Sequence, residues 1–74
     1  MTARPVKHSL TLRGHRTSVS LETAFWREFC AIAARDGVAL NALAARIDAA
    51  RGDMGLASAI RVHVLQDALR RAKG

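Results

Sequence analysis

The sequence predicts a mainly α-helical fold that carries a short β-ribbon near its N-terminal end. Hydrophobic period is the first observation behind this: polar and apolar residues alternate as far as Leu21, and from Glu22 onward apolar residues recur every three to four positions. Size is the second. The 74 residues include 21 large apolar side chains (8 Leu, 5 Val, 3 Ile, 2 Phe, 2 Met and 1 Trp) and 15 Ala, enough for one domain and short of a comfortable core. A single Cys excludes an internal disulfide framework. A homodimer is therefore expected to complete the core.

The first strand is expected over about 6–12, where Val6, His8, Leu10 and Leu12 alternate with Lys7, Ser9, Thr11 and Arg13. Gly14 interrupts, and a second strand runs over 16–21. Its inward set is Thr17, Val19 and Leu21 and its outward set Arg16, Ser18 and Ser20. A helix over about 22–36 follows, with Phe25, Phe29 and Ile32 on one row and Trp26, Cys30 and Ala33 on the next. Glu22 is expected to place an acid in its first turn, and Gly37 to end it. A second helix over about 40–51 has the spacing Leu40, Leu43, Ala44, Ile47 and closes at Gly52. Past the break Gly52-Asp53-Met54-Gly55, a third helix over about 56–72 has an apolar face wide enough to meet another subunit. The expected dimer core is Val19, Leu21, Phe25, Phe29, Ile32, Leu43 and Ile47.

Charge is unevenly placed. The net +6 divides into +4 over residues 1–20, −1 over 21–68 and +3 over 69–74, and the pI is about 11.4. Positive charge gathered at the ends favours a polyanion, because each neutralised phosphate releases condensed counterions; an anionic membrane, an acidic protein or simple solubility would use it less specifically. No apolar run is long enough to span a membrane and no secretory leader follows Met1, so a cytoplasmic protein is expected. His8, His15, His63 and Cys30 lack metal-ligand spacing. The six carboxylates form no acid–base pair, and Gly52 and Gly55 do not make a phosphate loop. No enzyme activity, metal or cofactor is expected.

The segment Arg16-Thr17-Ser18-Val19-Ser20 is the candidate reader. A two-stranded ribbon fits the major groove, Arg addresses guanine bidentately, and Ser donates or accepts. With one such strand per chain, this reading takes the second strand from a dimer partner. The order of a strand at 16–21, a helix at 22–36, a Gly37-Val38 turn and a helix at 40–51 resembles the ribbon-helix-helix family of bacterial DNA-binding proteins. The stretch from Gly14-His15-Arg16-Thr17-Ser18 to Val19-Ser20-Leu21-Glu22 is similar to one subgroup, as are Leu40-Asn41-Ala42-Leu43 and Ser58-Ala59-Ile60-Arg61-Val62. The resemblance implies an intertwined homodimer acting as a transcriptional repressor. Arg16, Ser18 and Ser20 would contact bases. Lys7, Arg13 and the start of the second helix at Ala39, Leu40 and Asn41 would contact phosphates.

Three departures from that family bear on function. Ala39 stands where the family's turn usually offers a Ser, Thr or Asn side chain. Residues precede the reader strand, and a hairpin made from 6–12 would widen a dimer ribbon to four strands. The helix at 56–72 is an addition, which gives the alternative reading: a protein–protein module, antitoxin-like or an adaptor, whose third helix holds a protein partner.

Overall fold

Arg13 and Gly14 turn the N-terminal segment back on itself. Both have positive φ, 53° and 81°, the pair of left-handed residues that a two-residue type I′ hairpin requires. The computed structural model describes residues 4–73. In it, β1 (Pro5–Leu12) pairs antiparallel with β2 (His15–Glu22). The two strands of the ribbon thus come from one chain. The strand expected over 6–12 is therefore a hairpin partner of β2, closed by a two-residue loop at little entropic cost, and the other edge of β2 stays free of it.

Three helices follow: α1 (Thr23–Asp36), α2 (Leu40–Ala50) and α3 (Leu56–Lys73). Gly37, at φ 68°, ends α1. Its N–H reaches the Ala34 carbonyl and the Val38 N–H reaches the Ala33 carbonyl, which satisfies two carbonyls the last turn would otherwise leave open. Glu22 is not in the first turn of α1. It is the residue that precedes the helix, it makes no side-chain cap bond, and its carboxylate turns instead to Arg61 of α3. The turn into α2 leaves Ala39 as an N-cap without a side-chain bond.

The inner face of the hairpin covers the helices. Leu10, Leu12, Val19 and Leu21 join Phe29, Ile32, Leu43, Ile47, Ile60 and Val64 in one buried cluster, and His8 stacks flat on Trp26, ring centroids 3.8 Å apart. Six of the seven expected dimer-core residues are therefore buried within a single chain, and Phe25 is half-buried. The inner face of the hairpin adds four apolar side chains, Leu10, Leu12, Val19 and Leu21, to those of the helices.

Asp67 of α3 is buried, its side chain 6% exposed. Arg35 of α1 donates to it, and Arg71 donates at 2.9 Å. Burial alone would raise its pKa, but the hydrogen bonds and charges of Arg35 and Arg71 outweigh this and hold the carboxyl below its ordinary 3.8. The Arg61 hydrogen bond likewise lowers Glu22 from 4.5. Groups with depressed folded values stabilise the fold above their unfolded pKa, and that contribution is lost as pH falls through the folded value. Thermal melts should be flat from neutrality to about pH 5 and drop at lower pH, and Asp67→Asn should lower the neutral melting temperature and shrink the acid-induced drop. An Asp67→Asn melt with the acid dependence of the wild type would contradict this account.

Candidate nucleic-acid interface

The pairing register decides which side chains share a face. Val6 opposes Leu21, His8 opposes Val19, Leu10 opposes Thr17 and Leu12 opposes His15 on the inner side. Lys7 opposite Ser20, Ser9 opposite Ser18 and Thr11 opposite Arg16 then occupy the outer side. All six outer residues are exposed. The result is a polar, basic surface two strands wide, with small hydroxyl side chains at its centre and Lys7 and Arg16 on opposite strands.

Arg16, Ser18 and Ser20 thus share a face, as their alternation predicts, and Lys7 lies across the ribbon from Ser20. Arg13 sits in the hairpin turn, exposed, at the end of that surface. The start of α2 lies at its flank. Asn41 Oδ1 accepts the Thr11 backbone N–H at 3.1 Å, so this side chain ties α2 to the outer edge of β1. Ala39 and Leu40 offer backbone only. The sequence reading omits Ser9 and Thr11 from the interface. The signal for them is the two-residue spacing between Leu12 and His15, which fixes them opposite Ser18 and Arg16 once the hairpin is taken as local.

The basic C-terminal cluster is drawn in part into ion pairs with acids of α1 and α3. Arg61 of α3 pairs with Glu22 at the start of α1, while Arg71 pairs with Glu28 at 3.4 Å and Asp67 with Arg35 near the end of α1. These pairs place α3 against α1, with Arg71 reaching Glu28 within α1 and Asp67 reaching Arg35 near its end. Arg71 is committed to Asp67 and Glu28, and Arg70 reaches Asp67 at 3.5 Å. Arg71 is thus held within the fold, while Arg70 stays 69% exposed and Lys73 makes no ion pair among the described residues.

One acid stands at the end of the outer face. Glu22, opposite Pro5, is held by Arg61 Nε at 2.9 Å, and the same guanidinium reaches the Ser20 carbonyl at 3.4 Å. Arg61 thereby neutralises the one carboxylate that would repel a phosphate backbone from this face. Among the described residues, no group of three or more His, Cys, Asp or Glu could hold a metal ion, and no helix is long and apolar enough to cross a membrane. Cys30 is half-buried on α1, and burial raises its pKa, which favours the thiol over the reactive thiolate.

The two edges of the ribbon differ. The closing pair of a two-residue hairpin exchanges hydrogen bonds and alternate pairs follow, so Arg16, Ser18 and Ser20 direct their backbone groups away from β1. On the β1 edge, Pro5 has no N–H and Thr11 is bonded to Asn41, while the Lys7 and Ser9 backbone groups have no partner among the described residues. On the β2 edge, the Arg16 and Ser18 backbone groups have no hydrogen-bond partner among the described residues. A family model described as a ribbon-helix-helix domain matches residues 5–68 of this chain. No curated protein and no solved structure matches it.

Proposed function

We propose that this chain, which belongs to the ribbon-helix-helix domain family, is a homodimeric transcriptional regulator that reads duplex DNA through the outer face of its hairpin. The family is a non-enzymatic, regulatory one whose members typically dimerise and bind DNA. The observation that carries the proposal is that outer face. It is wholly polar from Lys7 to Ser20, and its one acidic neighbour, Glu22, is neutralised by Arg61.

Pairing of the open β2 edges about Ser18 in two protomers gives a sheet ordered β1-β2-β2-β1. Its outer strands lie about 14 Å apart at the usual 4.8 Å spacing, against a major groove about 12 Å wide. The central pair therefore enters the groove, and the sheet's twist of about 20–25° per strand carries each β1 towards a groove wall. Arg16, Ser18 and Ser20 of both chains address base edges, while Lys7, Arg13 and the first-turn amides of α2 at Ala39, Leu40 and Asn41 address phosphates. A repressor acting in the bacterial cytoplasm fits this activity.

Anisotropy titration of a labelled duplex at two salt concentrations tests the proposal. Four phosphate contacts give a salt slope of about −3.6, so affinity should fall roughly a hundredfold between 50 and 200 mM. No salt-dependent binding to any duplex would overturn it. The competing reading, an adaptor or antitoxin-like module, draws on the exposed Val62, Leu65 and Leu69 of α3 and predicts that negative result.

Arg61 supplies a further check. Arg61→Ala should uncover the Glu22 charge and weaken duplex binding about fivefold at low salt, the size of one unscreened charge contact in water. Glu22→Gln in the same chain should restore the affinity. If the double variant binds as weakly as Arg61→Ala alone, Arg61 acts by some route other than neutralising Glu22.

A further inference from the structure

A cleft of about 350 Å³ lies where the hairpin turn meets the end of α2 and the start of α3, a size at the small end of the range for ligand sites. Leu12 and Leu56 form its apolar part: Leu12 belongs to the buried core cluster, and Leu56 packs against it. Arg13, His15, Asp48 and Arg51 form its polar part, and Thr17 of β2 adds a hydroxyl. Of these, the outer face of the hairpin draws only on Arg13.

Asp48 and Arg51 answer each other's charge. Arg51 Nε donates to Asp48 Oδ1 at 2.6 Å, and Arg51 Nη1 donates to the Met54 carbonyl at 2.7 Å and the Gly52 carbonyl at 3.4 Å. These bonds fix the guanidinium plane, while Nη2 has no partner among the described residues. A donor already held in place loses little side-chain freedom when a ligand arrives. Arg13 makes no ion pair among the described residues. The lining thus carries two guanidinium charges against one carboxylate that is already partnered, and His15 adds a ring N–H donor.

We propose that this cleft binds a small organic carboxylate with an apolar body. The surplus positive charge selects an anion, and a guanidinium fork matches a carboxylate in geometry. Leu12 and Leu56 select the rest of the ligand: an inorganic anion would leave their surface in water, whereas a ring or a branched chain covers it. A cationic ligand would meet like charge at Arg13 and Arg51. Binding at the cleft is independent of the DNA reading, but its consequence rests on that reading. A carboxylate beside Arg13 neutralises a cation assigned to a phosphate, so the bound anion lowers duplex affinity.

Benzoate is the probe, with benzamide as its uncharged isostere and inorganic phosphate as an anion without an apolar body. Amide shifts of the isotope-labelled full chain are followed at constant ionic strength. Benzoate should give saturable changes over Leu12 to Thr17 and at Arg51 and Leu56, half-complete at or below about 5 mM, an ordinary efficiency for a ligand of about nine non-hydrogen atoms. Benzamide and phosphate should each need about fivefold more, the size of one lost charge contact or of a few uncovered methylenes. Arg13→Asn gives the turn its preferred Asn-Gly pair, so it should keep the wild-type circular dichroism and raise the benzoate half-point about threefold or more. Changes that are scattered, or unsaturated at about 50 mM benzoate, tenfold beyond the expected half-point, would overturn the proposal. So would benzamide or phosphate binding as tightly as benzoate, a comparison that stands even if Arg13→Asn loses its fold. Duplex titration repeated with saturating benzoate separates the two claims: a severalfold loss of affinity is expected in the wild type and not in Arg13→Asn. Saturable benzoate binding with unchanged duplex affinity would leave the carboxylate site standing and remove Arg13 from the DNA interface instead.

Discussion

Phe29→Ala should lower the stability of the fold by about 3–5 kcal/mol, enough to leave a small domain largely unfolded at 37 °C. Phe29 has no exposed surface. It is framed by the tilted Trp26 ring, 5.9 Å away, and by the inner face of the hairpin. Truncation removes the transfer free energy of the ring and opens a cavity between layers that the local hairpin cannot collapse to fill. Urea denaturation at one protein concentration gives the loss directly. Repeating it at several concentrations separates an intrachain core from a shared one: the account places Phe29 inside one chain, so the loss should be similar at every concentration. A loss below about 1 kcal/mol would mean that the hairpin does not pack on α1 as described.

Arg16→Ala should relax base preference at one step in each half-site and cost about 1–3 kcal/mol against the preferred sequence, roughly fivefold to 150-fold in affinity. Arg16 is the only arginine on the outer face of β2, and it makes no ion pair among the described residues. Lys7→Ala should instead weaken all duplexes alike and flatten the salt dependence by about one unit per lost phosphate contact. Arg71→Ala should change DNA binding little, because Asp67 and Glu28 already hold that side chain. Competition between a selected and a scrambled duplex distinguishes the three. Arg16→Ala behaving like Lys7→Ala would move base reading to another surface.

The alternation through Leu12 and again from Arg16, the helical period from Phe25, and the glycines at 14, 37 and 52 made the elements readable, because each is a local signal of side-chain spacing or backbone hand. What periodicity does not carry is the partner of a strand. The same pattern at 16–21 suits a strand paired with its twin in a second chain, with 6–12 in its own, or with both, and the two-residue loop at Arg13 and Gly14 specifies the local pairing. Contacts between distant helices were equally hidden. Asp67 gathers Arg71 from its own helix and Arg35 from α1 packed against it, and so a terminal cluster that looks free in the sequence is partly consumed. Glu22 shows the same limit: its place beside a helix start suggests a dipole partner, and α3 supplies a guanidinium instead.

On the proposed reading, the outer face of the hairpin, and no other surface, meets DNA. Backbone amide chemical shifts of the isotope-labelled protein, followed as an unlabelled duplex is added at low salt, test it most directly. The account predicts that the largest changes fall on Lys7, Ser9, Thr11, Arg16, Ser18 and Ser20, with smaller ones at Arg13 and Leu40 to Ala42 and little change in α3 beyond Val64. Changes concentrated on Arg70, Arg71 and Lys73 with a silent hairpin would contradict it.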